Sequence, residues 1–206
     1  MTIKGTEGPS QGLDVVRQAL KHLSPRTTKR LSEALTLGGA QAAQPIPLYV
    51  IGLDEIQDDN FLSAASMAGW RYMLVNDDPV AAADVDVSEN NTVGFSRLIH
   101  STHAASLLKA SQKADKEYGK AAMEYEPRIL EVPSLYLSAL WLHGEEDHFF
   151  PYASGEAGAM QSMSEDRDFV TKVCKQAENK RQLRDELRLL DDAVARTRTR
   201  DPYAGA

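Results

Sequence analysis

The chain has 206 residues, 42% of them hydrophobic and 26% charged, and its 30 acidic against 23 basic residues give a formal net charge of -7. That size and apolar content suit one core with appendages, and the acidic balance argues against a nucleic-acid backbone or an anionic membrane as partner. One cysteine, Cys174, leaves no internal disulfide framework. The start Met1-Thr-Ile-Lys-Gly5 lacks an apolar signal core, no run nears the roughly 20 apolar residues of a membrane span, and a reducing cytoplasm is the expected compartment.

Residues 1–10 are polar, with Gly5, Gly8 and Pro9, and read as a tail. Leu13, Val16, Leu20 and Leu23 follow at helical spacing and predict an amphipathic helix over Gly12–Leu23. Ser24-Pro25 is a restart signal, with Ser24 as N-cap and Pro25 in the first turn. A second helix carrying Leu31, Ala34 and Leu35 then stops at Gly38-Gly39, and Ala40–Pro47 reads as a linker. Together 1–44 form an expected helical N-terminal arm.

The sheet domain is expected over 45–155. Its first strand is Leu48-Tyr-Val-Ile-Gly-Leu53, its second Trp70–Val75 and its third Val80–Val87, where Ala83, Val85 and Val87 alternate with Asp84 and Asp86 as if one face were wet. A short helix is expected over Phe61–Ala68, capped by Asp58-Asp59-Asn60 and closed by Gly69. Phe95–Tyr118, with Leu98, Ile99, Leu107 and Leu108, predicts a helix lying on the sheet. The longest apolar run, Arg128–His143, predicts a central strand covered on both faces, with Pro133 at its start or at a bulge. Gly144–Asp147 is a turn, and His148–Tyr152 returns as an edge strand blunted by Pro151. From Ser164 to about Arg198 runs one long amphipathic helix, the third region at 163–200. Leu183, Leu187, Leu190 and Val194 are spaced four, three, four, and Val170, Val173 and Ala177 read as the same stripe upstream. The expected fold is α+β: a small, mostly antiparallel sheet of four to five strands, a covering helix, a helical arm and a long C-terminal helix.

Candidate chemistry is sparse. Leu48–Glu55 is an apolar run ending in two acids, as in a Walker B strand, but no glycine-rich phosphate loop accompanies it. His100 and His103 are three apart, and His143 and His148 flank Glu145, Glu146 and Asp147; these four histidines are the weak metal candidates, without a metal-binding signature. Cys174 falls on the stripe and reads as a small buried hydrophobe. Lys21, His22, Arg26, Lys29 and Arg30 form a basic patch without the glycine turn of a helix-turn-helix. With no complete catalytic motif and no cofactor expected, the leading expectation is a non-catalytic interaction or assembly protein. Its contacts would run through Val170, Val173, Leu183, Leu187, Leu190 and Val194, to a protein partner or a second copy. The rival is a small-molecule-binding or metal-dependent enzyme with a pocket between the sheet and helix 95–118, and His100, His103, His143, Trp70 and Tyr136 at its mouth.

Overall fold

The computed structural model describes residues 3–22, 41–42, 45–76, 78–88, 90–99, 101–153 and 166–198. The helix expected over 25–37, with Arg26, Lys29 and Arg30, and the residue His100 lie outside this set. The elements are α1 (Gly12–His22), β1 (Gln41–Ala42), β2 (Ile46–Val50), β3 (Ser66–Asn76), β4 (Asp78–Val87), β5 (Val93–Ile99), α2 (Ser101–Tyr118), β6 (Glu126–Val132), β7 (Leu137–His143), β8 (His148–Ala153) and α3 (Asp166–Arg198).

The class is α+β, with one mixed sheet ordered β5-β4-β3-β2-β6-β7-β8 and β1 pairing with β3 in the lane of β2. Only β2 and β6 run parallel among the neighbours on this path; the rest are antiparallel. The expectation of four to five strands is therefore too low, for two physical reasons. First, Val93–Ile99 is a strand, and the helix read over 95–118 begins at Ser101. Valine, phenylalanine and isoleucine are good strand formers, but Leu98 and Ile99 also extend the helical spacing of Leu107 and Leu108. Second, 128–142 is not one extended run. Pro133–Leu135 is a turn of 3-10 helix, Tyr136 adopts left-handed φ 52 and ψ 30, and β6 folds back on β7. Pro133 stands in the first positions of that turn, where its missing N–H costs nothing. The expected helix at Phe61–Ala68 is also a correction: it is a single 3-10 turn over Phe61–Ala64, and the chain is already extended at Ser66. Part of the 40–47 linker is strand, in β1 and the start of β2.

Alternation along the strands sends two residue sets to opposite faces. One face, with Leu48, Met73, Ala82, Ile129, Leu140, Leu142 and Phe150, packs on Ala104, Leu107, Ala110 and Ala114 of α2. The opposite face is covered by two helices. Val16 of α1 meets Trp70, Tyr72 and Leu74, and Phe169, Val173 and Ala177 of α3 meet Leu130, Val132, Trp141 and Phe149. Gly69, at the bulge where β3 shifts register against β2, takes φ +154, and a Cβ there would stand 2.1 Å from the carbonyl oxygen of Val85. No other residue fits so close a backbone approach.

Candidate functional site

Strand registry lines up charge on the α2 face. Arg71 of β3 stands opposite Asp84 of β4, and Asp84 opposite Arg97 of β5. The Arg71 guanidinium forks onto Asp84, with Nε to Oδ1 at 2.7 Å and Nη2 to Oδ2 at 2.8 Å. It also donates to Glu131 Oε1 of β6 at 2.6 Å and to the hydroxyl of Tyr152 of β8 at 2.7 Å. Arg97 donates through Nε to Asp84 Oδ2 at 2.7 Å and through Nη2 to Glu131 Oε2. The two arginines and two carboxylates thus close a ring in which each carboxylate bridges both arginines.

The ring reports on the shape of the sheet. β5 and β6, and likewise β3 and β8, are four strand spacings apart along the sheet order. In a flat sheet that is about 19 Å, beyond the reach of one arginine side chain. Direct bonds between these strands require the sheet to curl around its α2 face. The charges balance, which is the condition for burying them. Arg71 is only 2% exposed, and Asp84 and Glu131 are buried. Asp84 overturns the expectation that its face of β4 is wet: Asp86 is exposed, Asp84 is not.

Burial by itself would pull the Arg71 guanidinium down. The bond to Asp84 and the charges of Tyr152, Asp84 and Glu131 outweigh it and hold the group above its ordinary range. For Arg97 the opposing desolvation is likewise overcome by the bonds to Glu131 and Asp84. Burial pushes the Tyr152 phenol up to about 12; Arg71 pulls it down, Glu131 and Asp84 push it up further, and Ser138 in hydrogen-bond contact lowers it. A phenol raised in the folded state gives stability that is whole below the unfolded value near 10 and is lost as pH rises towards 12. The urea midpoint is therefore expected to fall between pH 10 and 12 more steeply than that of Tyr152→Phe. Equal slopes would show that Tyr152 titrates normally.

Beside the ring lies a cleft of about 550 Å³. Its floor holds Arg71 and Glu131 and its polar rim Arg97, His103 and Tyr136; Ile99 and Pro133 add apolar surface, and Leu98 and Leu137 border it from strands whose side chains pack on the opposite face. Of the side chains expected at the rival pocket, His103 and Tyr136 line it. Trp70 packs on the opposite face among the residues under α1. His143 is held by Asp147, its Nδ1 2.9 Å from Oδ1, and Trp141 Nε1 donates to the same oxygen at 2.8 Å. His148 stands on the row of Leu142, so it and His143 leave the β7–β8 hairpin on opposite faces. It stacks on Tyr118 with ring centroids 4.1 Å apart and lies 3.2 Å from the Tyr125 hydroxyl. Among the described residues, no three His, Cys, Asp or Glu side chains are grouped as a metal site. Glu145 and Glu146 are exposed. Asp54 pairs with Arg184, and Glu55 accepts from the Gly52 N–H as a cap, so both acids of the Walker-like run have local work. Cys174 is partly buried and its Sγ donates to Asp58 O; burial first, then Asp59, pushes the thiol up, away from the nucleophilic thiolate.

The second candidate is α3. The expected single stripe is in fact two. Val173, Ala177, Arg181 and Arg184 face the body: the first two are buried, Arg181 donates to the carbonyls of Leu53 and Ile56, and Arg184 pairs with Asp54 at 2.8 Å. Leu183, Leu187 and Leu190 lie about a third of a turn further round the helix. They are 50%, 53% and 61% exposed. Val170 is partly buried with the docked half, and the side chain of Val194 lies outside the described set.

Sequence reasoning did not single out Arg71, Asp84, Arg97, Glu131 or Tyr152. A signal was present: Arg71 in Trp-Arg-Tyr-Met-Leu-Val and Glu131 in Ile-Leu-Glu-Val are charges set between apolar neighbours in a strand, and buried charges of opposite sign must find one another. Comparison with protein-family models, curated proteins and solved structures finds no match to this chain. Among the described residues, no helix is long and apolar enough to cross a membrane.

Proposed function

We propose that this is a non-catalytic cytoplasmic assembly protein that joins to itself through the free half of α3. One observation carries the reading. Leu183, Leu187 and Leu190 stand half or more exposed at four-three spacing, on a helix whose docking contacts come from a different face. A helix of this kind gains most of its stability by burying such a stripe. A partner helix can approach it without displacing the body.

Charge selects an orientation. With Leu183 and Leu190 as d and Leu187 and Val194 as a, the flanking e positions hold Arg184 and Asp191, and the g position between them holds Glu186. A parallel pair would set Glu186 against Asp191 of the second copy, twice. An antiparallel pair sets Arg184 against Asp191, twice. The exposed pair that Arg184 makes with Asp54 is readily exchanged.

The test cuts the chain after Asp185, because a cut ahead of α3 would also remove Phe169 from the core. Light scattering is expected to give twice the monomer mass for the full chain and the monomer mass for 1–185, with equal urea midpoints when both are dilute. A monomeric full chain at high concentration would end the reading. Asp191→Lys is expected to weaken the dimer about fivefold, since each lysine then faces an arginine. A tighter dimer would mean that the helices run parallel.

A further inference from the structure

The cleft over the charge ring supports a binding site of its own, independent of α3. We infer that it takes an organic carboxylate with an apolar body, held by Arg97.

Donor and acceptor bookkeeping leads there. Asp84 spends Oδ1 on Arg71 and Oδ2 on both arginines, and Glu131 spends Oε1 on Arg71 and Oε2 on Arg97. Each carboxylate oxygen of the ring therefore already accepts from at least one guanidinium nitrogen. Arg71 has given Nε, Nη1 and Nη2 to protein partners. Arg97 has given Nε and Nη2 but makes no bond from Nη1 to any of the described residues, and its side chain is 49% exposed on the cleft. The donors that the cleft offers a ligand include the Arg97 Nη1 hydrogens, the His103 ring and the Tyr136 hydroxyl. A carboxylate is the small group that matches a guanidinium edge. It would be received at a place already held in position, since the other two nitrogens of Arg97 are tied to β4 and β6.

The rest of the cleft specifies the body of the ligand. Ile99 and Pro133 give the cleft apolar surface on the α2 face, while Leu98 and Leu137 border it at strands whose side chains turn to the other face. A volume of about 550 Å³ leaves room for more than an inorganic anion. Tyr136 is 73% exposed at the rim. Its left-handed backbone is uncommon for a bulky side chain and is imposed by the turn between β6 and β7. Strain of this kind is retained where the surroundings over-determine it and is frequent at ligand clamps. Here it stands a tyrosine ring over a cleft whose wall lacks an aromatic cover.

The test is calorimetric titration of the full chain with 4-phenylbutyrate, its neutral amide and inorganic phosphate. The acid is expected to bind, and the amide and the phosphate each at least about tenfold more weakly, the value of one charge-assisted hydrogen bond or of the apolar body. Tyr136→Ala is expected to weaken the acid severalfold, and Arg97→Met to bring acid and amide to the same affinity. Should Arg97→Met fail to fold, Arg97→Lys keeps the charge and loses the planar fork, and is expected to lie between the two. No heat with the acid at millimolar concentration, an amide that binds as well as the acid, or phosphate that binds as tightly would each overturn the inference.

Discussion

Arg71→Met is expected to destabilise the fold by about 3–5 kcal/mol, read as a lower urea midpoint at unchanged slope. Methionine keeps most of the volume of the arginine stem, so little of the loss comes from a cavity. What it removes is the only cation among the described residues that meets Asp84, Glu131 and Tyr152 together. Two buried carboxylates would then share Arg97 alone, from a half-exposed position. Arg71→Lys is expected to recover part of the loss, because a compact ammonium cannot fork onto both oxygens of Asp84 while reaching Glu131 and Tyr152. The pair Arg71→Met and Asp84→Asn should cost less than the two singles added, since the second change removes a charge that the first leaves stranded. A cost below about 1 kcal/mol for Arg71→Met would mean that the interior is wet enough to solvate the carboxylates, and the ring would lose its place as the clasp of the curled sheet.

Parts of this fold are legible in the residues. α1, the β7–β8 hairpin and the extent of α3 follow from periodicity and turn chemistry, which act locally. Pro133 shows where locality fails: the apolar run continues on both sides of it, and only the antiparallel pairing of β6 with β7 shows that the chain reverses there. Val93–Ile99 satisfies the strand and the helix pattern alike, and the decision is made by β4, which lies beside it in space. Asp84 reads as a solvated residue because alternation predicts the face on which a side chain stands, not whether that face is covered. Its cover comes from α2 and from strands far away in sequence.

The charge ring was hidden for the same reason. Arg71 and Glu131 are 60 residues apart and Arg97 and Glu131 are 34 apart, and no spacing rule joins them. Of the five side chains expected at the rival pocket, His103 and Tyr136 line the cleft, because they flank elements that meet where the helix lies on the sheet. Arg97, with its open guanidinium edge, was not foreseen. In α3 the reverse holds: the leucine spacing was plain, but a docked stripe and a free stripe have the same composition. Only the position of the body tells them apart.

Phe169→Ala separates those two stripes by experiment and is expected to cost about 3–5 kcal/mol. Phe169 is fully buried and stacks on Phe149 with ring centroids 4.4 Å apart, in the cluster that also holds Trp141 and Leu130. Its removal leaves a cavity that β8, an edge strand, closes only in part. The docked half of α3 should then fray, so that amide exchange speeds up at Val173 and Ala177 together. Leu187→Ala, on the same helix and with a side chain of nearly the same hydrophobicity, is expected to change the stability of the dilute protein by no more than about 0.5 kcal/mol. Its effect should appear only as concentration rises, as a weaker dimer. If Leu187→Ala costs as much as Phe169→Ala in the monomer, the free stripe is covered by the chain itself and self-association through it fails. If Phe169→Ala costs as little as Leu187→Ala, α3 is not anchored in the core, and the clean division between a docked half and a free half is lost with it.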